Sequence, residues 1–284
     1  MYRLFDYTQY DSHLMLLQFA LKTFRVSSWF LRYIHLRAKW LFSSANNQER
    51  ITVHLLVVKN PVYALLARTC VESFLHYHPN AQVIIHYDDV TFISLLNNLR
   101  AVMRLRKNHI SFLAVQPSLS WQEDKLKLII SINGSFDFFL DADLRFNGPL
   151  TLHEKPVFLV KEEYFQILGP IGALSITSRI KCKNKNTSVF SWGGHKLQTA
   201  DLQLLYYLYE NLDSHLLDSE RKREYVARLR EQITLSAFFD IQNIEVLFIK
   251  TGDGQFDGSF IESSYYGATS SYFGVVGRRS IWRR

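Results

Sequence analysis

Asp141 and Asp143 close the stretch FDFFLDADLRF, one residue apart and directly after the apolar run Phe138-Phe139-Leu140. Side chains at alternate positions of an extended chain point the same way, so the two carboxylates converge where a buried strand leaves the core. Like charges that close raise each other's pKa unless a cation lies between them. A hard divalent ion, Mg2+ or Mn2+, meets that need, because such ions take one or two carboxylates together with phosphate oxygens of a substrate. The competing reading is an ordinary strand end entering a turn, where Asp is common without any task. A D-x-D triplet is frequent by chance; the strand before it lends this one weight.

Other motifs are weaker. Asp253 and Asp257 in TGDGQFDGS lack the full pattern of a calcium loop, and there is no Walker loop, GxSxG elbow, HExxH or paired CxxC, which removes several enzyme classes. Cys70 and Cys182 are too few and too far apart for a disulfide scaffold or a zinc site, so a reducing compartment is the simpler reading. At 48% hydrophobic and 14% aromatic residues the 284-residue chain is no disordered segment, and a mean hydropathy of -0.06 argues against a polytopic membrane protein. A formal charge of +7 and a pI near 9.3 attract phosphates, whether on nucleic acids, anionic lipids or nucleotides.

The elements that must position Asp141 and Asp143 alternate along the chain. The apolar run ITVHLLVV from Ile51 suits a strand buried on both faces. A helix from Pro61 to His78, a strand from Val83 to His86 ending at Asp88 and Asp89, a helix from Phe92 to Leu105, a strand near Ile110 to Val115, a helix from Asp124 to Ile132 and the strand Phe136 to Leu140 follow. Repeated βα units predict an α/β, Rossmann-like, mostly parallel sheet flanked by helices, with ligands outside the carboxyl ends of the strands. Beyond it the sequence predicts a strand at Val157 to Val160, a glycine-rich turn at LGPIGALSI, a basic loop at SRIKCKNKNTS, a helix from Thr199 to Leu212, a solvated helix at DSERKREYVARLRE and loops after Thr251.

Residues 1–48 form an N-terminal segment ahead of a single domain, residues 49–284. From Leu14 to Phe42 it has no acidic residue, and Lys22, Arg25, Ser28, Arg32, His35 and Lys39 recur at spacings of three and four, as on one face of a helix. Two readings stay open: an amphipathic helix lying on an anionic membrane or in a partner's groove, or one docked on its own domain with a solvated cationic face. Asp6, Asp11 and Lys22 break any secretory signal, and no apolar stretch reaches the roughly 18 residues of a membrane span, so a cytoplasmic location with peripheral membrane contact is expected.

The stretch DKLKLIISINGSFDFFLDADLRF resembles the corresponding segment of glycogenin-like sugar-nucleotide glycosyltransferases of the GT-A fold, in which a Lys-Leu opens a helix and an apolar strand ends in L-D-A-D. Lys125 precedes Asp141 by sixteen residues, the spacing of that family's basic residue. Further likenesses follow in order: Ser73, Phe74 and His78-Pro79 on the first helix, a Gly-Ala-Leu-Ser element, then Gly-Gly and D-L-Q-L-L.

The resemblance implies a metal-dependent hexosyltransferase. Asp141 and Asp143 would hold Mn2+ or Mg2+, and Lys125 would neutralise the phosphates of a nucleotide-diphosphate sugar, a UDP-sugar being the expected donor. Asp201, opening DLQLL, matches the acidic residue of the family's D-Q-x-L-L element, with Leu202 intervening before Gln203, and Asp88 or Asp89 would touch base or ribose. His195, in SWGGHKLQ, is an acceptor-site base or an ordinary loop histidine. Trp192 stacks on a sugar ring or anchors its loop. The family's H-x-x-G-x-x-K-P-W element has its counterpart in SYYGATSSYF, where Gly267 is kept but Ser264 and Ser270 stand at the His and Lys positions; Arg278 and Arg279 are the remaining cations nearby. The acceptor would be a glycan, lipid-linked or protein hydroxyl. The alternatives are a nucleotidyltransferase of related fold, although VVKNPVYALL has no glycine after its strand, and a degenerate transferase-like binding protein. Nucleic acid is not the expected partner.

Overall fold

The apolar run at the start of the domain forms a central strand because helices cover both of its faces. In order, the elements are β1 (Thr52–Val57), α1 (Tyr63–Tyr77), β2 (Gln82–Tyr87), α2 (Asp89–Leu105), β3 (Ile110–Ala114), α3 (Trp121–Ser131), β4 (Phe138–Leu140), β5 (Val157–Ile171), β6 (Ile176–Ser191), α4 (Thr199–Glu210), α5 (Leu212–His215), α6 (Arg230–Ile241) and β7 (Leu247–Ile249). The computed structural model describes residues 30–31, 33–38, 40, 50–146, 148–171, 176–217 and 226–249. The strands make one seven-stranded sheet in the order β3-β2-β1-β4-β6-β5-β7. Among them β6 alone runs against its neighbours. The fold is therefore α/β with a mostly parallel mixed sheet.

Two apolar layers sandwich this sheet. On one face, Cys70, Val71 and Phe74 of α1 and Leu95, Leu99 and Val102 of α2 pack on Val53, Leu55 and Val57. On the other, Ile129 of α3, Leu205 and Leu208 of α4 and Ile233, Phe238 and Phe239 of α6 pack on Phe139, Phe158 and Phe190. Residues 30–31, 33–38 and 40 are helical. Leu36, with Tyr33 and Trp40, joins the first layer, while Phe30, Leu31 and Ile34 are exposed. The rest of the Leu14 to Phe42 segment lies outside the described residues. No described helix is long and apolar enough to cross a membrane.

The basic stretch SRIKCKNKNTS, expected as a loop, is instead most of β6, paired along its length with a β5 far longer than Val157 to Val160. Its alternation is real but concealed: Cys182 and Asn184 are buried while Arg179 and Lys181 are exposed, so the inward face is itself partly polar. The expected solvated helix is corrected in part. Residues 218–225 lie outside the described set, but Glu231, at its end, is buried in the first turn of α6.

The segment after Asp143 is strapped to α1 by two side-chain acceptors. Ser73 Oγ accepts from the Phe146 N–H at 3.0 Å, and His78 Nε2 accepts from the Leu150 N–H at 2.7 Å. His78 is buried against Phe74, and burial pushes its imidazole from 6.5 down to about 4. A histidine depressed in this way favours the folded state fully above its unfolded pKa and loses that contribution as pH falls from about 6.5 towards 4. Between pH 7 and pH 5 the loss is about 2 kcal/mol for this group. Urea unfolding at the two pH values is expected to show it, and His78→Gln, which keeps an acceptor that does not titrate, should flatten the difference by a similar amount.

Candidate active site

The chain runs outward from β1 through β2 to β3 and then returns to the opposite side of β1 to form β4. In open α/β sheets such a reversal leaves a crevice outside the carboxyl ends of the two diverging strands. Here that crevice lies between the ends of β1 and β4.

At the β1 end, Lys59 takes a left-handed conformation with φ 68°, unusual for a residue with a side chain. Its backbone N–H donates to Asp88 Oδ2 at 2.6 Å, which holds the turn in place. The other Asp88 oxygen caps α2, accepting from the Thr91 N–H at 3.0 Å and the Thr91 hydroxyl at 2.9 Å. Asp88 thus ties two strand ends together with both oxygens engaged, and Asp89 is the exposed carboxylate beside it. Lys59 Nζ makes an ion-pair contact with Asp124 Oδ2 at 3.1 Å, without hydrogen-bond alignment.

At the β4 end the Asp141 N–H donates to the Ser188 carbonyl at 2.8 Å. That carbonyl sits where the pairing of β6 with β5 breaks register between Phe158 and Leu159, and irregularities of this kind commonly re-aim residues beside active sites. Lys125 arrives from α3. It is only 2% exposed, and its ammonium lies 2.8 Å from Asp141 Oδ1 and 3.1 Å from Oδ2. Its second partner is Glu231 Oε1, at 3.4 Å. The ammonium also stands 5.0 Å from the ring centre of Phe139. Burial alone would lower the Lys125 pKa, but Asp141, Glu231 and Asp143 more than offset it, so Lys125 is held charged and its pKa is raised.

Three carboxylates therefore share one cation. Burial and the charge of Asp141 push the Asp143 carboxyl up to about 7, against the pull of a backbone hydrogen bond and Lys125. Glu231 is 1% exposed; burial and then Asp141 raise its pKa, with Lys125 opposing. Glu231 Oε2 has no hydrogen-bond partner among the described residues. Tyr63, at the start of α1, also senses the cluster: burial, then Asp143 and Asp141, raise its hydroxyl pKa. A cluster with this excess of negative charge suits a divalent cation. Among the described residues no group of three His, Cys, Asp or Glu is arranged as a metal site. The donor set is two carboxylates, Asp141 held by Lys125 and Asp143 half-buried beside it, and two carboxylates completed by phosphate oxygens are a common way to hold Mg2+ or Mn2+.

Lys125, Asp141 and Asp143 are brought together. Asp201 and His195 are not. β6 ends at Ser191 opposite Phe138, the first residue of β4. The next turn returns the His195 carbonyl to the Gly134 N–H at 2.8 Å. α4 begins at the same edge, where the Leu197 N–H donates to Asn133 Oδ1 at 3.2 Å and Asp201 caps its own helix by accepting from the Gln198 N–H at 2.8 Å. About 10 Å of strand separates that edge from Asp141. Trp192 is fully buried, with Nε1 donating to the Ile129 carbonyl at 2.6 Å, so it belongs to the core and not to a sugar-stacking loop.

Glu231 is the site residue that the sequence reading missed. The acidic residue followed directly by Gln, sought at DLQLL, occurs at Glu231-Gln232 with Ile-Thr-Leu after it. Its place inside a highly charged stretch masked the pattern. Asp253, Asp257, Ser264, Gly267, Ser270, Arg278 and Arg279 lie outside the described residues.

No family model matches the sequence, and no curated protein matches it. Solved structures do overlap it. A galactosyltransferase, LgtC, in complex with donor and acceptor sugar analogs is 12% identical, with a TM-score of 0.40 over 62% of this chain and 70% of that one. The apo-form glycosyltransferase GlyE of Streptococcus pneumoniae TIGR4 is 16% identical, with a TM-score of 0.40 over 70% of this chain and 45% of that one. PaToxG glycosyltransferase is 10% identical, with a TM-score of 0.39 over 92% and 89% of the two chains. All three are glycosyltransferases, the class the sequence resembles, but likenesses this remote fix neither family nor reaction.

Removing one member of a buried ion cluster strands the others. Lys125→Met is expected to lower stability by about 3–5 kcal/mol in urea unfolding at pH 7, because Asp141 and Glu231 lose their counter-charge. Adding Glu231→Gln should recover part of that loss.

Proposed function

We propose that the chain transfers a hexose from a nucleotide-diphosphate donor, a UDP-sugar being the expected form, to a hydroxyl of a glycan, lipid-linked or protein acceptor. One observation carries the reading: a lysine withdrawn from water is clamped by a carboxylate at the switch-point crevice, with a second, half-buried carboxylate two residues along. That combination is poorly explained by stability, since buried ion pairs seldom stabilise a fold more than apolar residues would. It is well explained by a ligand that brings phosphate charge and a cation together.

Asp141 and Asp143 would hold Mn2+ or Mg2+, and such an ion, when bound, supplies positive charge against the departing diphosphate. Lys125 adds a second positive charge at the same point. Because it is already desolvated, its charge there is screened little by water. Asp89 is the carboxylate at the β2 end still open to a ribose or base, given that both oxygens of Asp88 are engaged. As the acceptor oxygen bonds to the anomeric carbon, the bond from that carbon to the diphosphate breaks and the hydroxyl proton passes to the departing phosphate oxygen, so no protein nucleophile is required. His195 and the start of α4, which carries Asp201, lie near the opposite end of β4 from Asp141. Attack from the face that the diphosphate leaves allows that proton transfer, so retention of configuration is the expected outcome.

A thermal-shift and hydrolysis screen of nucleotide sugars, with and without Mn2+, tests this. A ligand at 100 times its Kd adds about 2.7 kcal/mol, an expected rise in Tm of about 5–10 °C for a chain of this size. The rise should require the metal and vanish in Asp143→Ala. If no nucleotide sugar shifts the unfolding of the wild-type chain under any metal condition, the transferase reading is wrong.

A further inference from the structure

Both oxygens of Asp141 face the Lys125 ammonium, at 2.8 and 3.1 Å. A hard cation binds carboxylate oxygen at about 2.1 Å for Mg2+, so cation and ammonium compete for the same oxygens. Lys125 is too deeply buried to release its charge into water, and must keep an anion in reach when Asp141 is taken. Glu231 is placed for that. Its Oε1 is already 3.4 Å from Lys125 Nζ, longer than a well-formed hydrogen bond. Its Oε2 has no hydrogen-bond partner among the described residues, although the residue is almost wholly buried. On Oε1 the other contact is a long one, from the Thr187 hydroxyl at 3.4 Å. A buried carboxylate with one unused oxygen, beside a lysine that must move, is an acceptor held in reserve.

We propose that Lys125 gates the cation site and that Glu231 is the positioning residue that opens it, receiving the ammonium when Asp141 turns to a divalent ion. The proposal rests on the cation site of the transferase reading and adds its control. In it, cation binding shortens the contact between Lys125 and Glu231 and lengthens that between Lys125 and Asp141. The effect of Glu231 on affinity passes wholly through Lys125.

The test is a double-mutant cycle on Mn2+ affinity, read from the electron paramagnetic resonance of free Mn2+ with the full chain, without nucleotide, and with folding checked by circular dichroism. Glu231→Gln should weaken Mn2+ binding about tenfold, within the usual size of a coupling between sites. In a Lys125→Met background the same substitution should change it less than about twofold, because no ammonium remains to be received. Equal weakening in both backgrounds would make Glu231 a ligand or a fold element and overturn the gate, as would no effect in the wild-type background. Should Lys125→Met fail to fold, Glu231→Asp decides. A shorter but charged acceptor is expected to hold affinity within about threefold of wild type, and a loss equal to that of Glu231→Gln rejects the proposal. Asp143→Asn separates the two ideas. If the wild-type chain binds no Mn2+, the gate falls while the transferase reading is decided by the nucleotide-sugar screen, and binding that needs Asp143 but ignores Glu231 likewise sinks the gate alone.

Discussion

An ammonium group taken out of water must be met by fixed negative charge, and Lys125 is met from two directions. Asp141 comes from the end of β4 and Glu231 from the first turn of α6, so one side chain of α3 links three elements on one face of the sheet. Desolvation of each ion is costly, and the mutual attraction repays it only where geometry is good. Here the geometry is good on the Asp141 side and slack on the Glu231 side. An asymmetric clamp of this kind is poor at stabilising a fold and well suited to letting one partner go.

The scaffold keeps the open side of the clamp in place by means that do not use the clamp itself. The Asp141 backbone is fixed by the Ser188 carbonyl, and the chain beyond Asp143 is fixed by Ser73 and His78 of α1. On the far wall of the crevice, Asp88 binds the strained Lys59 turn to the start of α2. Each of these anchors matches an acceptor to a backbone N–H, and loss of such a bond away from water leaves a donor unsatisfied. Charge in the crevice can therefore rearrange while the backbone around it stays put.

The first half of this plan is legible in the sequence. Strands β1, β2 and β4 are short apolar runs separated by helices of ordinary length, and the position of the carboxylate pair at a strand end follows from that alternation. The second half is not, for two physical reasons. β6 alternates between exposed basic residues and an inward set that includes Asn184, so its period of two is written in polar residues on both faces. The first turn of α6 is charged in sequence yet buried in space, because Glu231 is compensated by a lysine 106 positions earlier in the chain (231 − 125). No local pattern reports a partner at that distance. Asp201, by contrast, looks like a site residue in sequence and serves as a helix cap in space, a task for which Asp near a helix start is equally suited.

What sets Glu231 in reach of Lys125 is the polar seam between α6 and β6. Gln232, Ser236 and Asp240 recur every four residues and so form one stripe along α6. Gln232 donates to Asn184 at 2.7 Å, Ser236 accepts from the Lys185 N–H at 2.8 Å, and Asp240 accepts from the Lys183 N–H at 2.8 Å while also pairing with buried Lys185. Residues 231 to 239 of this helix are buried without exception, so apolar contact alone would tolerate more than one rotation of it. The stripe does not. A slip of one residue turns the helix by about 100° and moves it about 1.5 Å, which would leave these polar groups unmatched and swing Glu231 away from the crevice. The seam's contribution is thus register more than stability, the best-attested use of buried polar contacts, and the register it selects is the one in which Lys125 has two carboxylates to choose between.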